Sequence, residues 1–422
     1  MIKRNLSYYA AAILFFVVTA VQPAKAANPD EGMWLANMVR QLNFEYLKQL
    51  GLELSAEEIY NTENASLKDA VVQLYQGGSG FCTGELVSPN GLMFTNHHCG
   101  YEAIVSQSTT EHNYIDDGFW ARSYAEELPI PGLAIRILYD AKDITDSIAP
   151  KVEGLDMAQR RAKITEIQNR IIARYAEQGY EAEVKSMYYG NQYYVYLYQV
   201  YNDVRLTGAP PSSVGNYGGD TDNWMWPRHT GDFSIFRIYA DKSNNPAEYS
   251  AENVPFRPKK FLKISLDGYK EGDFTMIMGF PGSTERYLTS FGMAEVVNES
   301  NPAQVDVFKA VTDVMKSESD KDEAVRIQLA ADYAQLMNGL KLYKTQVDGM
   351  RRMDAVGIKE AQEKEFMKWA KTQGKSTEEK YQAMFNNFEN AYKTLSTVNT
   401  EFYYKIYSVV LLPTGSFALD FS

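Results

Sequence analysis

The period of the apolar residues changes along the chain. Residues 28–76 read as mostly helical, and "SAEE" at 55–58 predicts a capping box, Ser55 accepting from first-turn amides while Glu58 reaches back. From Gly77 to about Pro150 the pattern breaks into short apolar runs separated by Gly, Pro and Asn. There "GELVS" and "LMFTN" flank Pro89-Asn90-Gly91, and an Asn-Gly pair tolerates the positive φ of a tight turn, which predicts a hairpin. The strand reading extends through His97 and His98, which would then point to opposite faces. Ile164, Ile167, Ile171 and Tyr175 recur at helical spacing across 156–178. "YYVYLYQVY" at 193–201 alternates as a strand, with Tyr194, Tyr196, Tyr198 and Val200 sharing one face. A loop rich in Gly, Pro and Asp spans 208–231, and "DFSIFRIYA" at 232–240 predicts another strand. "FLKISL" and "FTMIMGF" predict two more. From Gln304 to about Tyr407 the chain is rich in Ala, Lys, Glu and Gln, the texture of a helical domain. "SVVLLPTGSFALDFS" at the end fits neither texture and reads as a cut.

Length and composition sharpen this outline. At 422 residues the chain is long for one ordinary domain. Hydrophobic residues make up 45% and charged residues 23%, enough for a large core. Thirty tyrosines and twenty phenylalanines suit β-structure and peptide-binding surfaces. Residues 1–26 read as a secretory signal: Lys3 and Arg4, an apolar stretch from Tyr8 to Val21, then Ala24-Lys25-Ala26 as cleavage site. The expectation is an exported protein without a membrane span once the signal is removed. The formal charge of −12 argues against nucleic acid and anionic lipid as partners. In an oxidising compartment the two cysteines, Cys82 and Cys99, most simply form one disulfide.

Candidate chemistry gathers in "FTNHHCG", where two of the four histidines adjoin Cys99. A zinc site needs three or four converging ligands, and His97 and His98 on one strand would diverge, so no metal is expected. A disulfide beside His98 could brace a catalytic base, or it could be purely structural; the residues leave both readings open. A base needs an orienting carboxylate. The loop and strand at 218–240 offer Asp220, Asp222 and Asp232, of which Asp232 stands where an apolar strand begins and would be partly buried. Trp224, Trp226, Arg228 and His229 crowd the same loop, as a binding wall or as a satellite core.

"CTGELVSPNGLMFTNHHCGYEA" and "DNWMWPRHTGDFS" resemble the bacterial serine dipeptidyl-peptidase family typified by dipeptidyl peptidases VII and XI. The resemblance runs over nearly all of the chain after the signal. It implies a mixed β plus α fold: a chymotrypsin-like double β-barrel with an inserted all-helical domain. It implies a peptidase domain at 27–284 and a helical lid at 285–422. It implies removal of dipeptides from the free N-terminus of peptides, without a cofactor, in the periplasm or at the cell surface of a Gram-negative bacterium, and leaves a homodimer open. By position, His98 matches the general base and Asp232 the residue that orients it. Asn223 and Trp224 match the grip on the substrate's amino terminus, and Asn338 in "AQLMNGLKLYK" resembles the asparagine that completes it. The family's serine lies near the end of a longer chain, in a Gly-x-Ser-Gly type turn of the second barrel. Neither Ser79 in "GGSG" nor Ser416 in "TGSFALD" has that setting. The expectation is therefore a truncated chain with an incomplete second barrel and no turnover of its own. A non-catalytic exported peptide-binding protein is the alternative.

Overall fold

The computed structural model describes residues 34–39, 41, 44–283, 285 and 287–410. The segment expected to be a secretory signal, 1–26, and Ser416 lie outside the described residues. Eleven strands run in chain order: β1 Val71–Gln76, β2 Ser79–Leu86, β3 Leu92–Thr95, β4 Phe119–Trp120, β5 Leu128–Pro129, β6 Ala134–Asp143, β7 Glu181–Met187, β8 Gln192–Tyr201, β9 Asp203–Ala209, β10 Ser234–Ala240 and β11 Val254–Pro255. They form one antiparallel sheet in the order β4-β9-β10-β3-β2-β1-β6-β8-β7, with β11 on β10 and β5 on β9. Only Asn202 separates β8 from β9, yet six strand pairings lie between them in that order, so the sheet curls until the two meet. Inside the curl Val72, Leu74, Leu86, Met93, Ile135, Leu206, Phe236 and Ile238 are fully buried. Burial of that apolar surface supplies the main drive for folding here.

The Asn-Gly hairpin forms as expected. Glu85 faces Phe94 and Leu86 faces Met93 across β2 and β3. Gly91 has φ +66°, and a Cβ there would meet the Ile238 carbonyl at 2.7 Å, so the turn needs glycine for conformation and for space. The predicted helix is Met157–Ala176, capped by Asp156, whose carboxylate accepts from the Gln159 N–H at 2.8 Å. Its Ile164, Ile167 and Ile171 pack on Ile148, Val152 and Tyr193, and Ile171 with Tyr175 packs on Val195 and Leu197. The Ser55–Glu58 capping box is also present.

Three expectations need correction. The described part of 28–76 holds only short helical pieces, such as Phe44–Gln49 and Ala56–Ile59, and ends in β1. Val71, Val72, Gln73 and Leu74 are all buried between β2 and β6, so the alternation that marks a half-exposed strand is missing. Next, 261–266 and 274–280 form no strand. Ile264, Leu266 and Ile277 are 62%, 93% and 100% exposed. Their residue types favour strands, but a strand requires a neighbour to take its backbone groups. Here the Leu262 N–H reaches the Leu86 carbonyl and the Phe280 N–H reaches Thr83 Oγ1, without a ladder forming among the described residues. Third, His97 and His98 do not continue a strand; they open a helix, His97–Ser106.

From Ser290 onward the described chain is helical as expected, in Ser290–Glu295, Asn301–Ser319, Glu323–Arg352, Ala355–Thr372 and Lys375–Val410. Glu323–Arg352 rests on the sheet body. Its Ile327 and Ala330 join the main core, and Arg326 pairs with Asp116 at 2.7 Å. Asn338 and Lys341 lie on the same helical face and meet the loop before β10.

Candidate active site

The site begins where β3 ends. Asn96 is the N-cap residue of His97–Ser106, yet its side chain makes no cap bond. Asp232, just before β10, does that work instead: its Oδ1 accepts the His98 backbone N–H at 3.1 Å. A carboxylate at a helix N-terminus satisfies a donor that has no partner inside the helix and is favoured by the helix dipole. Asn96 Nδ2 donates to Asp232 Oδ2 at 3.2 Å, and Ser234 Oγ donates to the Asn96 carbonyl at 2.8 Å. The pairing of Ser234 with Thr95 fixes this register. Gly100 permits the approach, since a Cβ there would lie 2.4 Å from Ser234 Oγ.

The same carboxylate holds the His98 ring. Nδ1 and Asp232 Oδ2 are 2.9 Å apart. Burial alone would raise the Asp232 carboxyl, but the His98 ring, its charge and its backbone N–H outweigh burial and keep the group below the usual carboxylate range. An anionic Asp232 can only accept, so Nδ1 carries a proton, and in the neutral ring Nε2 then keeps its lone pair. The His98 side chain is 70% exposed and open to a reacting partner. Such an imidazole is fitted to take and return a proton.

Cys82 in β2 and Cys99 in the first helical turn form the expected disulfide, with Cα atoms 6.0 Å apart. It ties the residue after His98 to the sheet. Successive helical residues are about 100° apart, so the two histidines separate sharply. His97 is 1% exposed and lies 5.6 Å from the Tyr101 ring, centroid to centroid. Burial lowers its pKa, against a smaller opposing effect of the Asp232 charge, and its Nε2 has no partner among the described residues. It fills the space beside Gly215, where a Cβ would meet the ring at 2.3 Å.

The structure also brings together Asn223, Trp224 and Asn338. Asn223 Nδ2 donates to Asn338 Oδ1 at 2.9 Å, and Trp224 Nε1 donates to the Asn338 carbonyl at 3.2 Å. Trp224 sits at φ +60°, a left-handed conformation that is costly for a bulky residue and gathers at functional sites. Lys341 Nζ donates to the Thr221 carbonyl at 3.3 Å. Desolvation raises the Asp220 carboxyl, and Lys341 offsets part of the rise. The chain from this cluster to Asp232 is pinned on the way: the Gly231 N–H donates to the Val214 carbonyl and Thr230 Oγ1 to the Gly215 carbonyl. Trp226 is 92% exposed, so among the described residues it belongs to no satellite core. Asn96, Gly100 and Ser234 were given no role from the sequence. Reading Asn96 as the cap of a helix would have pointed to the first two.

Residues 29–412 match the Peptidase S46 family, and the chain belongs to that family. It is 47% identical over 368 residues to Dipeptidyl-peptidase 7 of Porphyromonas endodontalis, covering 86% of this chain and 44% of that protein. It is 40% identical over 386 residues to the Asp/Glu-specific dipeptidyl-peptidase of Flavobacterium psychrophilum, covering 91% and 52%. The crystal structure of Porphyromonas endodontalis DPP11 in complex with the dipeptide Arg-Glu superposes with TM-score 0.82 at 41% identity, over 90% of this chain and 55% of that one. The chain spans about half the length of the curated relatives it matches.

Proposed function

We propose that this chain carries the general base and the substrate-amine grip of an exported serine-type dipeptidyl-peptidase. The observation that carries the reading is the 2.9 Å contact of His98 Nδ1 with an anionic Asp232, which leaves an exposed Nε2 lone pair. In the proposed reaction a serine Oγ gives its proton to Nε2 and attacks the carbonyl of the second residue of a peptide. Nε2 then delivers that proton to the leaving amine, and water repeats the sequence on the acyl-enzyme. Asp232 holds the tautomer throughout. Asn223, Trp224 and Asn338 would take the substrate's ammonium group by acceptor oxygens, which sets the cut at a fixed distance from the free terminus. The names of the relatives and the dipeptide complex support a dipeptidyl-peptidase reading.

The curled sheet supports the reading of a chymotrypsin-like barrel over 27–284, with the helices of 285–422 as a lid. Among the described residues no hydroxyl is hydrogen-bonded to the His98 ring, and Ser79 Oγ bonds the Gly80 carbonyl instead. On this reading the 422-residue protein binds peptide amines without turnover. Calorimetry with a free and an N-acetylated tripeptide tests the grip: acetylation should abolish binding, and indifference to it would remove the amine-capture reading. A fluorogenic dipeptidyl substrate tests the rest. No release is expected, and release blocked by a serine-directed phosphonate would overturn the assignment of inactivity.

A further inference from the structure

Sγ of Cys82, Sγ of Cys99 and a ring nitrogen of His98 all lie within 4.8 Å of one another. As long as the sulfurs are bonded to each other, neither is a thiolate and the trio holds no cation. We propose that opening this disulfide converts the trio into a zinc site that captures His98. Zinc bonds of about 2.0–2.3 Å place neighbouring ligands roughly 3.5 Å apart, which the three atoms reach once the sulfurs separate.

The frame does not depend on the disulfide alone. Cys82 pairs with Leu74 in the β1–β2 ladder, and the helix carrying Cys99 is held through Asn96 and Ser234. Cys99 is in the first turn of a ten-residue helix, where the dipole favours a thiolate. Asp232 backs His98 through Nδ1, the carboxylate–histidine arrangement that strengthens metal ligands. The exposed His98 face gives the cation a way in and leaves its fourth position to water. Opening takes two electrons. With a phosphine as reductant, phosphorus becomes the phosphine oxide with oxygen from water, and the two water protons go to the sulfurs. Zinc binding then releases both thiol protons. A cation on the ring would also occupy the lone pair that proton transfer needs. That consequence rests on the proposed function; the metal site does not.

The test uses the 422-residue protein, reduced with a phosphine, desalted without oxygen and titrated with Co²⁺ and then Zn²⁺. The reduced protein should bind one Co²⁺ with a thiolate-to-cobalt charge-transfer band that Zn²⁺ displaces, while the oxidised protein shows no band. The His98 imidazole ¹⁵N resonances should move with Zn²⁺ only after reduction, and Asp232→Asn should weaken binding by ~10–100-fold. The proposal is overturned if the reduced protein shows no band or if the His98 resonances stay in place. A band that appears together with loss of near-ultraviolet dichroism overturns it as well, because unfolded thiols would then be the ligands.

Discussion

The His98–Asp232 pair and the Asn223–Trp224–Asn338 cluster each draw on the segment before β10, yet they are assembled in opposite ways. Everything that holds the pair belongs to the sheet body: the end of β3, the first helical turn, the start of β10 and a disulfide to β2. The cluster joins an exposed loop to the helix Glu323–Arg352, more than a hundred residues further along the chain. His98 stands in the first turn of a helix and Asp232 two residues before β10, each next to paired backbone. The proposed grip lies where the loop before β10 meets a helix, joined by two side-chain hydrogen bonds to Asn338.

Mutation can break this contrast. Phe236→Ala, inside β10 and fully buried, should cost about 3–5 kcal/mol in urea unfolding, whereas Trp226→Ala in the exposed loop should stay within about 0.5 kcal/mol. A comparable loss from both would remove the distinction between a rigid base and an exposed grip. Reducing the disulfide, whose cysteines are 17 positions apart, should cost about 3 kcal/mol on the chain-entropy estimate, read as a shift of the same unfolding curve.

How far the sequence foretold these two regions depends on what each rests upon. The hairpin at Gly91, the helix Met157–Ala176 and the strand β8 were legible because local turn chemistry and period specify them. β1 was not, because burial on both faces erased its period, and β9 was not, because Asn202 alone separates it from β8. The opposite error came at 261–266 and 274–280, where residue types of a strand meet no partner strand. His98 and Asp232 were found through their motifs. That Asp232 also caps the helix of His98 depends on a pairing across more than a hundred residues, which no local pattern carries. The join of Asn338 to Asn223 is of the same kind.

Smaller effects sharpen the comparison. The Asp232 carboxyl is lowered in the folded protein, so the folded state favours its ionised form. Its contribution to stability is complete above the unfolded carboxylate value of ~3.9 and is lost as pH falls through the lower folded value. Unfolding measured down through the carboxylate range should show a part of the acid-side loss that is absent in Asp232→Asn. Smallest in stability is Asn338→Ala, expected within about 0.5 kcal/mol because the residue is exposed. It should still remove the preference for a free over an acetylated peptide, measured by calorimetry. A large stability loss would make Asn338 a structural strut.

The most direct measurement is the tautomer of His98, read from the imidazole ¹⁵N shifts and ring couplings of the neutral ring. The account predicts a proton on Nδ1 and a bare Nε2 in the wild type, with that preference lost in Asp232→Asn. A wild-type ring protonated at Nε2, or a tautomer that ignores the substitution, would contradict it.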